Sequence, residues 1–313
     1  MKQGQIIGVI MDPVTQIKPA KDTTLALMRA AQERGLGLSY MEQDDIYIAD
    51  GKVRARTKTL TLQDHPDQWY AMDDAHEDIE ISALDAVFMR KDPPVDKRFI
   101  HCCYMLAQAQ KNGARIINDP LALLRYNEKL YATCFPDFCP PYVVTSSRDI
   151  LRDFAALHND IIIKPLDEMG GSGVFLVKKN DVNLDVIWEI QTARGTYPVM
   201  AQKFVPDIAH GDKRVIIING KPYGYALVRL PAEDSIRGNL AAGGSYDVRK
   251  LDESEYALAE KVGQKIVGDG VFLAGIDIIG DYLIEINITS PTGLRELSAA
   301  TGDDVAGLVI DAL

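Results

Sequence analysis

The stretch Ile161-Ile162-Ile163-Lys164-Pro165-Leu166-Asp167-Glu168-Met169-Gly170-Gly171-Ser172-Gly173-Val174-Phe175-Leu176-Val177 decides how this sequence folds. Its β-branched start reads as a strand, and its apolar end reads as a second one. A glycine-rich turn lies between them. Because a strand follows the glycines, both the P-loop and the dinucleotide fingerprint are excluded, since each needs a helix to begin there. A glycine-rich turn between antiparallel strands can still fold over phosphates with its backbone N–H groups. The competing reading is a flexible hairpin tip, and the loop alone does not separate the two. Lys164 sharpens the question. A lysine inside an apolar strand must reach solvent along its own stem or meet an anion. Just before such a turn, phosphate is the economical anion.

The surrounding chain has 313 residues, enough for two or three lobes around a shared core. Hydrophobic residues make up 47% and charged residues 25%, which argues against disorder. With 34 Lys and Arg against 45 Asp and Glu, the net charge is −11. That balance disfavours nucleic acid as main partner but leaves room for a small anion held by a few local cations. No apolar run is long enough for a membrane span. Residues 6–11 are apolar but close on Asp12-Pro13 without a small-residue cleavage site, so they read as a first strand and not a signal peptide. Cys102, Cys103, Cys134 and Cys139 have no metal-ligand spacing and suit a reducing cytoplasm.

Strand and helix patterns alternate from the start. Residues 5–11, 37–41, 86–89 and 115–118 read as strands. Residues 23–33, capped by Asp22 and stopped by Gly35, and residues 99–111 read as helices. Residues 45–62 read as a meander with a turn at Asp50-Gly51, and the acidic residues 65–80 as a surface insertion. This order predicts a mostly parallel, doubly wound lobe ending near residue 120. Beyond it, residues 127–135, 148–158 and 253–267 read as helices. Residues 142–145, 160–165, 174–177, 199–204, 214–218, 223–229, 272–279 and 282–287 read as strands. Residues 231–248 show no periodicity.

A second chemical group lies near the C-terminus. Glu285 and Asn287, two apart, share one face of a strand. The turn Gly280-Asp281 folds the preceding strand back, so Asp277 reaches the same face. Two carboxylates and an amide oxygen among apolar neighbours suit Mg²⁺ or Mn²⁺; the alternative is a solvated face of an amphipathic hairpin. Taken singly, Lys129, Lys213, Arg214, Arg229, Arg237 and Asn239 read as surface residues. Arg214 differs in standing where an apolar run begins and could aim inward. No histidine has ligand or triad spacing, and no serine sits in a nucleophile elbow.

Together these residues resemble the ATP-grasp superfamily, and within it the prokaryotic glutathione synthetases. The resemblance rests on Ile10-Met11-Asp12-Pro13, Met89-Arg90-Lys91-Asp92-Pro93-Pro94, Asn127-Glu128-Lys129, Lys164-Pro165-Leu166-Asp167, Gly211-Asp212-Lys213-Arg214, Arg237-Gly238-Asn239-Leu240-Ala241-Ala242-Gly243-Gly244 and Glu285-Ile286-Asn287-Ile288-Thr289-Ser290-Pro291-Thr292. It implies a mixed α/β and α+β chain with an ATP-grasp fold. A doubly wound parallel-sheet lobe would fill residues 1–121, with a central subdomain over 122–203 and a C-terminal one over 204–313. It implies a ligase that joins γ-glutamylcysteine to glycine at the expense of ATP, through an acyl phosphate. Lys129 and Lys164 would hold the phosphates and Gly170, Gly171, Ser172 and Gly173 would cover them. Gln202, Lys203, Phe204 and Val205 would border adenine, with Asp212 also on the nucleotide. Asp277, Glu285 and Asn287 would bind Mg²⁺ or Mn²⁺. Arg214, Arg229 and Arg237 would act at the reacting centre, and Arg237, Asn239 and Ser290 on substrate. Residues 231–248 would form a lid. The resemblance further implies a cytoplasmic homotetramer that works on small molecules. A peptide-tail or D-alanine ligase and a synapsin-like nucleotide-binding protein share the nucleotide residues. The long signatures argue against the first, and the metal set with Arg214 against the second.

Overall fold

A computed structural model describes residues 1–65, 68–232 and 245–313. Three sheets build it. The first has a parallel centre in the spatial order Gly37–Met41, Ile6–Ile10, Ala86–Met89, Ile116–Ile117. Helix Thr23–Glu33 joins the first pair in sequence and helix Lys97–Lys111 the last, as parallel crossovers require. Each helix starts on an aspartate: the Asp22 carboxylate accepts from the Leu25 N–H at 2.6 Å and Asp96 from Phe99 at 2.9 Å. The Asp96 cap moves the start of the second helix back from residue 99 to Lys97.

Beyond Gly37–Met41 the sheet turns antiparallel. The hairpin Ile46–Ala49 and Lys52–Leu62 closes at Asp50 and Gly51, with φ of 49° and 78°, the positive pair such a turn needs. Residues 65–80 are not merely an insertion. Tyr70–Met72 and Glu77–Glu80 both pair with Lys52–Leu62 and widen the sheet. Both are short, and Glu77–Glu80 is acidic, so alternation could not reveal them; backbone pairing holds both, and the Arg54–Asp78 ion pair at 2.9 Å adds to the second.

The second sheet is antiparallel, in the order Phe175–Val177, Ile161–Pro165, Val199–Lys203, Tyr142–Thr145. With helices Arg148–His158 and Leu184–Gln191 it closes a small core of its own, including Leu151, Ile161, Ile163, Ile187 and Val199. The third sheet, also antiparallel, runs Ser245–Lys250, Lys221–Leu230, Asp212–Ile218, Leu273–Ile279, Tyr282–Asn287. Its two faces share cores with the first lobe. One unites Ile10 and Val87 with Val215, Ile276 and Leu258; the other unites Ile7 and Phe88 with Ile216, Leu297 and Val309.

Strand Ser245–Lys250 begins within the stretch expected to lack periodicity, residues 231–248, and runs two residues past it. Its residues are mostly exposed and polar, and only backbone pairing with Lys221–Leu230 makes it a strand. Helices Leu294–Thr301 and Val305–Asp311 are additions at the C-terminus, too short for a sustained period and split by Gly302. The helix expected over 127–135 is confined to Glu128–Ala132.

Candidate active site

A cavity of about 380 Å³ opens between the second and third sheets. Strand Ile161–Pro165 builds one wall by simple alternation. Ile161 and Ile163 enter the small core, so Ile162 and Lys164 face the cavity. Lys164 is 6% exposed. Among the described residues its Nζ has only the Ile284 carbonyl, at 3.4 Å. Burial lowers its pKa to about 8, with the charge of Glu285 offsetting part of the shift. Lys129 comes from the first turn of helix Glu128–Ala132. Its Nζ donates to the carbonyls of Glu168 at 2.5 Å and Leu166 at 3.4 Å, and pairs with Glu285 Oε1 at 3.3 Å.

The glycine-rich turn borders the same space at Gly170, Gly171 and Ser172. Gly173 does not line it. Its φ is +65°, and a Cβ there would meet Pro165 at 3.0 Å, so it anchors the turn to the strand. Gln202, Lys203, Phe204 and Val205 all line the cavity. Gln202 is buried, and its Nε2 has no protein partner among the described residues. The Lys203 and Phe204 N–H groups are taken by the carbonyls of Pro141 and Asp160, at 2.8 and 2.9 Å.

The opposite wall is ionic. Strand register sets Arg214 across from Asp277, Asp277 across from Glu285, and Asp212 across from Arg229. Arg214 grips Asp277 with two bonds, Nε to Oδ1 and Nη2 to Oδ2, both 2.8 Å. Arg229 Nη2 reaches Asp277 Oδ2 at 2.9 Å and also pairs with Asp212. Burial opposes ionisation of Asp277, yet the two guanidinium groups hold its pKa down to about 2. At Asp212 burial wins over Arg229 and raises the pKa to about 6. Among the described residues, Asp212 Oδ1 and Arg229 Nε are buried without a protein partner. Buried polar atoms are rarely left so, which points to a ligand that completes them.

Asp277, Glu285 and Asn287 share one face, as their spacing implied, and all three line the cavity. They are not equally free. Asp277 Oδ2 also accepts from Asn287 Nδ2 at 3.2 Å, so it meets two arginines and an amide. Among the described residues Glu285 has only Lys129 as ion partner. Among the described residues no three His, Cys, Asp or Glu side chains converge as a preformed metal cluster. The donor types still fit a hard cation that shares its shell with phosphate. Glu285 is the open carboxylate, and Asp277 would have to exchange one of its donors.

Two residues escaped the sequence reading of single side chains. Glu128 lines the cavity, and its pKa is raised by burial and then by the charge of Glu285. Glu296 lines it too, with Oε2 buried and unpartnered among the described residues. Glu128 sits inside the Asn127-Glu128-Lys129 string, and an acid beside the lysine was the available signal; Glu296 carried none. Ser290 lines the cavity, its hydroxyl donating to the Arg90 carbonyl at 3.5 Å. Arg237 and Asn239, and most of the expected lid, lie outside the described residues.

With this geometry in hand, two family models match the chain. The prokaryotic glutathione synthetase N-terminal domain covers residues 6–125, and the ATP-grasp domain of the same enzymes covers residues 128–302. The chain belongs to the prokaryotic glutathione synthetase family. Relatives named glutathione synthetase include those of Pseudomonas putida, 45% identical over 98% of this chain and 96% of that one, and Nitrosomonas europaea, 46% identical over 98% and 97%. Among solved structures, the D-cycloserine synthetase DcsG superposes with a TM-score of 0.68 at 15% identity, covering 98% of each chain. The ATP-grasp ligase PsnB, complexed with a precursor variant, Mg and ADP, gives 0.61 at 17% identity, covering 100% of this chain and 98% of that one. At these identities the two structures establish a shared ATP-grasp fold. Membership in the family makes the chain an ATP-dependent ligase that forms glutathione.

Proposed function

We propose that the cavity between the second and third sheets is where this chain activates γ-glutamylcysteine with ATP and joins it to glycine. One observation carries the reading: cations from one wall and a buried charge network from the other converge on a single cavity, with two network atoms left unpartnered. A carboxylate resists attack by an amine because it is anionic and resonance-stabilised. Phosphorylating the cysteinyl carboxylate replaces an oxide with a leaving group, and the glycine amine then displaces it through a tetrahedral oxyanion. The chain needs no covalent nucleophile for this, in keeping with the lack of triad spacing.

In this reading Lys129 and Lys164 neutralise the nucleotide phosphates beneath the turn at Gly170, Gly171, Ser172 and Gly173. Val205 and its neighbours border adenine. The Lys164 ammonium, held in an apolar strand and in no ion pair among the described residues, exchanges a poor environment for a phosphate. Arg214 and Arg229 hold the charge that develops on the transferred phosphoryl group and the later oxyanion. Asp212 and Asp277 keep both guanidinium groups aimed and ionised. Glu285 and Asn287, with Asp277, would hold Mg²⁺ or Mn²⁺, which supplies further charge neutralisation to phosphoryl transfer when bound. Ser290 lies where it can meet substrate. The free cysteines fit a reducing cytoplasm, and a homotetramer is the assembly the family resemblance implies. The test is phosphate release by purified protein offered a panel of dipeptides and amines. Release that requires γ-glutamylcysteine and glycine together supports the reading. Equal release with unrelated dipeptides would overturn it.

A further inference from the structure

Glu128 opens helix Glu128–Ala132, and an acid there ordinarily serves its own helix end. Here Asn127 does that work, its Oδ1 accepting from the N–H groups of Lys129 and Leu130 at 3.1 and 3.2 Å. Glu128 Oε1 turns elsewhere and accepts from the N–H groups of Ile288 and Thr289, each at 3.2 Å. Both residues are buried and lie just past strand Tyr282–Asn287, where its ladder has ended. The Ile288 carbonyl is held too, by Asn118 Nδ2 at 2.8 Å. Asn118 Oδ1 in turn accepts from the Phe272 and Leu273 N–H groups, both at 2.8 Å. Residue 288 is therefore pinned at its N–H by Glu128 and at its C=O by Asn118. Asn287 stands immediately before it and Glu285 three residues before; two residues after it stands Ser290. A slip of this strand end would move all three at once.

We propose that Glu128 is a positioning residue for the ligation, fixing the strand end so that Glu285 and Asn287 meet the cation together. The inference rests on the assignment of those two residues to the cation. Glu128 acts through its reach and its two accepted hydrogen bonds, not through its charge. Two substitutions separate these. Glu128→Gln keeps the reach and the accepting oxygen and removes the charge; Glu128→Asp keeps the charge and withdraws the oxygen by one methylene.

Hydrogen exchange of the Ile288 and Thr289 amides, followed in metal-free protein, is the readout independent of activity. Glu128→Gln should keep their protection and hold kcat within about three-fold of the parent. Glu128→Asp should lose that protection, raise the half-saturating Mg²⁺, and lower kcat on the order of a hundred-fold. Loss of folded protein alone would reduce the amplitude of turnover and leave the half-saturating Mg²⁺ where it was. Equal impairment of the two variants, or lost protection in Glu128→Asp with kcat and Mg²⁺ dependence unchanged, overturns the proposal. Normal turnover in Glu285→Gln would instead overturn the cation assignment, while leaving the exchange result intact.

Discussion

Strand Asp212–Ile218 carries a buried ion cluster on each of its faces, one residue apart. Arg214 faces the cavity and meets Asp277, with Arg229 and Asp212 beyond. Lys213 faces the other way and meets Glu255 of helix Glu253–Gly268 at 2.6 Å and the Gly280 carbonyl at 2.7 Å. Glu255 also accepts from Arg249 and, at 3.1 Å, from the Asp252 N–H, completing a capping box. The second cluster is closed: every charged group has its partners. The first is open, with Asp212 Oδ1 and Arg229 Nε unmatched beside a cavity. Burial and ion pairing are common to both. What separates a binding cluster from a structural one is the remainder, the donors and acceptors left over when protein partners are counted.

If that distinction holds, the two clusters should fail differently. The largest effect belongs to Arg214→Met. Turnover should fall about a thousand-fold, roughly 4 kcal/mol of transition-state stabilisation. Thermal unfolding should move little, since Arg229 still holds Asp277 and Asp212. A large drop in unfolding temperature with proportionate turnover would make the cluster structural after all.

On the opposite face, Gly263→Ala should cost stability instead. A Cβ at Gly263 would stand 2.3 Å from the Gly220 oxygen and 2.9 Å from its carbonyl carbon. Both are backbone atoms and cannot turn aside. About 3 kcal/mol should be lost in urea unfolding, with kcat of the folded fraction unchanged. Glu255→Gln should follow at about 2 kcal/mol, below the usual cost of breaking a buried pair because Arg249 reaches solvent. Its kcat and KM for ATP should stay near the parent values. A selective rise in KM would join the two clusters functionally and break the comparison.

The smallest effect is expected at Lys164→Met, and it depends on pH. The folded chain holds Lys164 at a pKa of about 8, against 10.5 ordinarily, because burial penalises the ammonium. Below pH 8 both folded and unfolded chains carry the charge, so the folded chain bears the full burial penalty and the methionine variant is the steadier protein. As pH rises from 8 towards 10.5, the unfolded chain binds the extra proton and the parent regains stability on the variant. Ligand-free melts of both proteins near pH 7 and about pH 9.5 should show the gap closing. ATP affinity by calorimetry at pH 7 should be markedly weaker in the variant. Unchanged affinity would mean that Lys164 meets no phosphate.

Local signals made much of the fold legible. Asp22 before residues 23–33, the turn at Asp50-Gly51 and the turn at Gly280-Asp281 each mark an element that the structure contains. Strands 37–41, 86–89 and 142–145 keep the bounds their apolar pattern implies. The period of two in a strand likewise put Glu285 and Asn287 on one face. Ser245–Lys250 was hidden because an exposed edge strand needs no apolar face, only a neighbour's backbone. Gly263 was hidden because its reason is a carbonyl 43 positions earlier in the chain, at Gly220.

By itself, then, the sequence determined most of the elements, the family and the kinds of side chain available for chemistry, since caps, turns and periodicity act over a few residues. The tertiary structure alone decided who pairs with whom. Lys213 and Arg214 are neighbouring cations, Arg214 marked only by the apolar run that it begins, until strand register sends one to Glu255 and the other to Asp277. Glu128 is an unremarked acid until the fold carries the Ile288 and Thr289 amides, 160 and 161 residues away in sequence, to its carboxylate. Whether a buried charge is satisfied or left waiting for a ligand depends on all its neighbours at once, and only the packed chain brings those neighbours together.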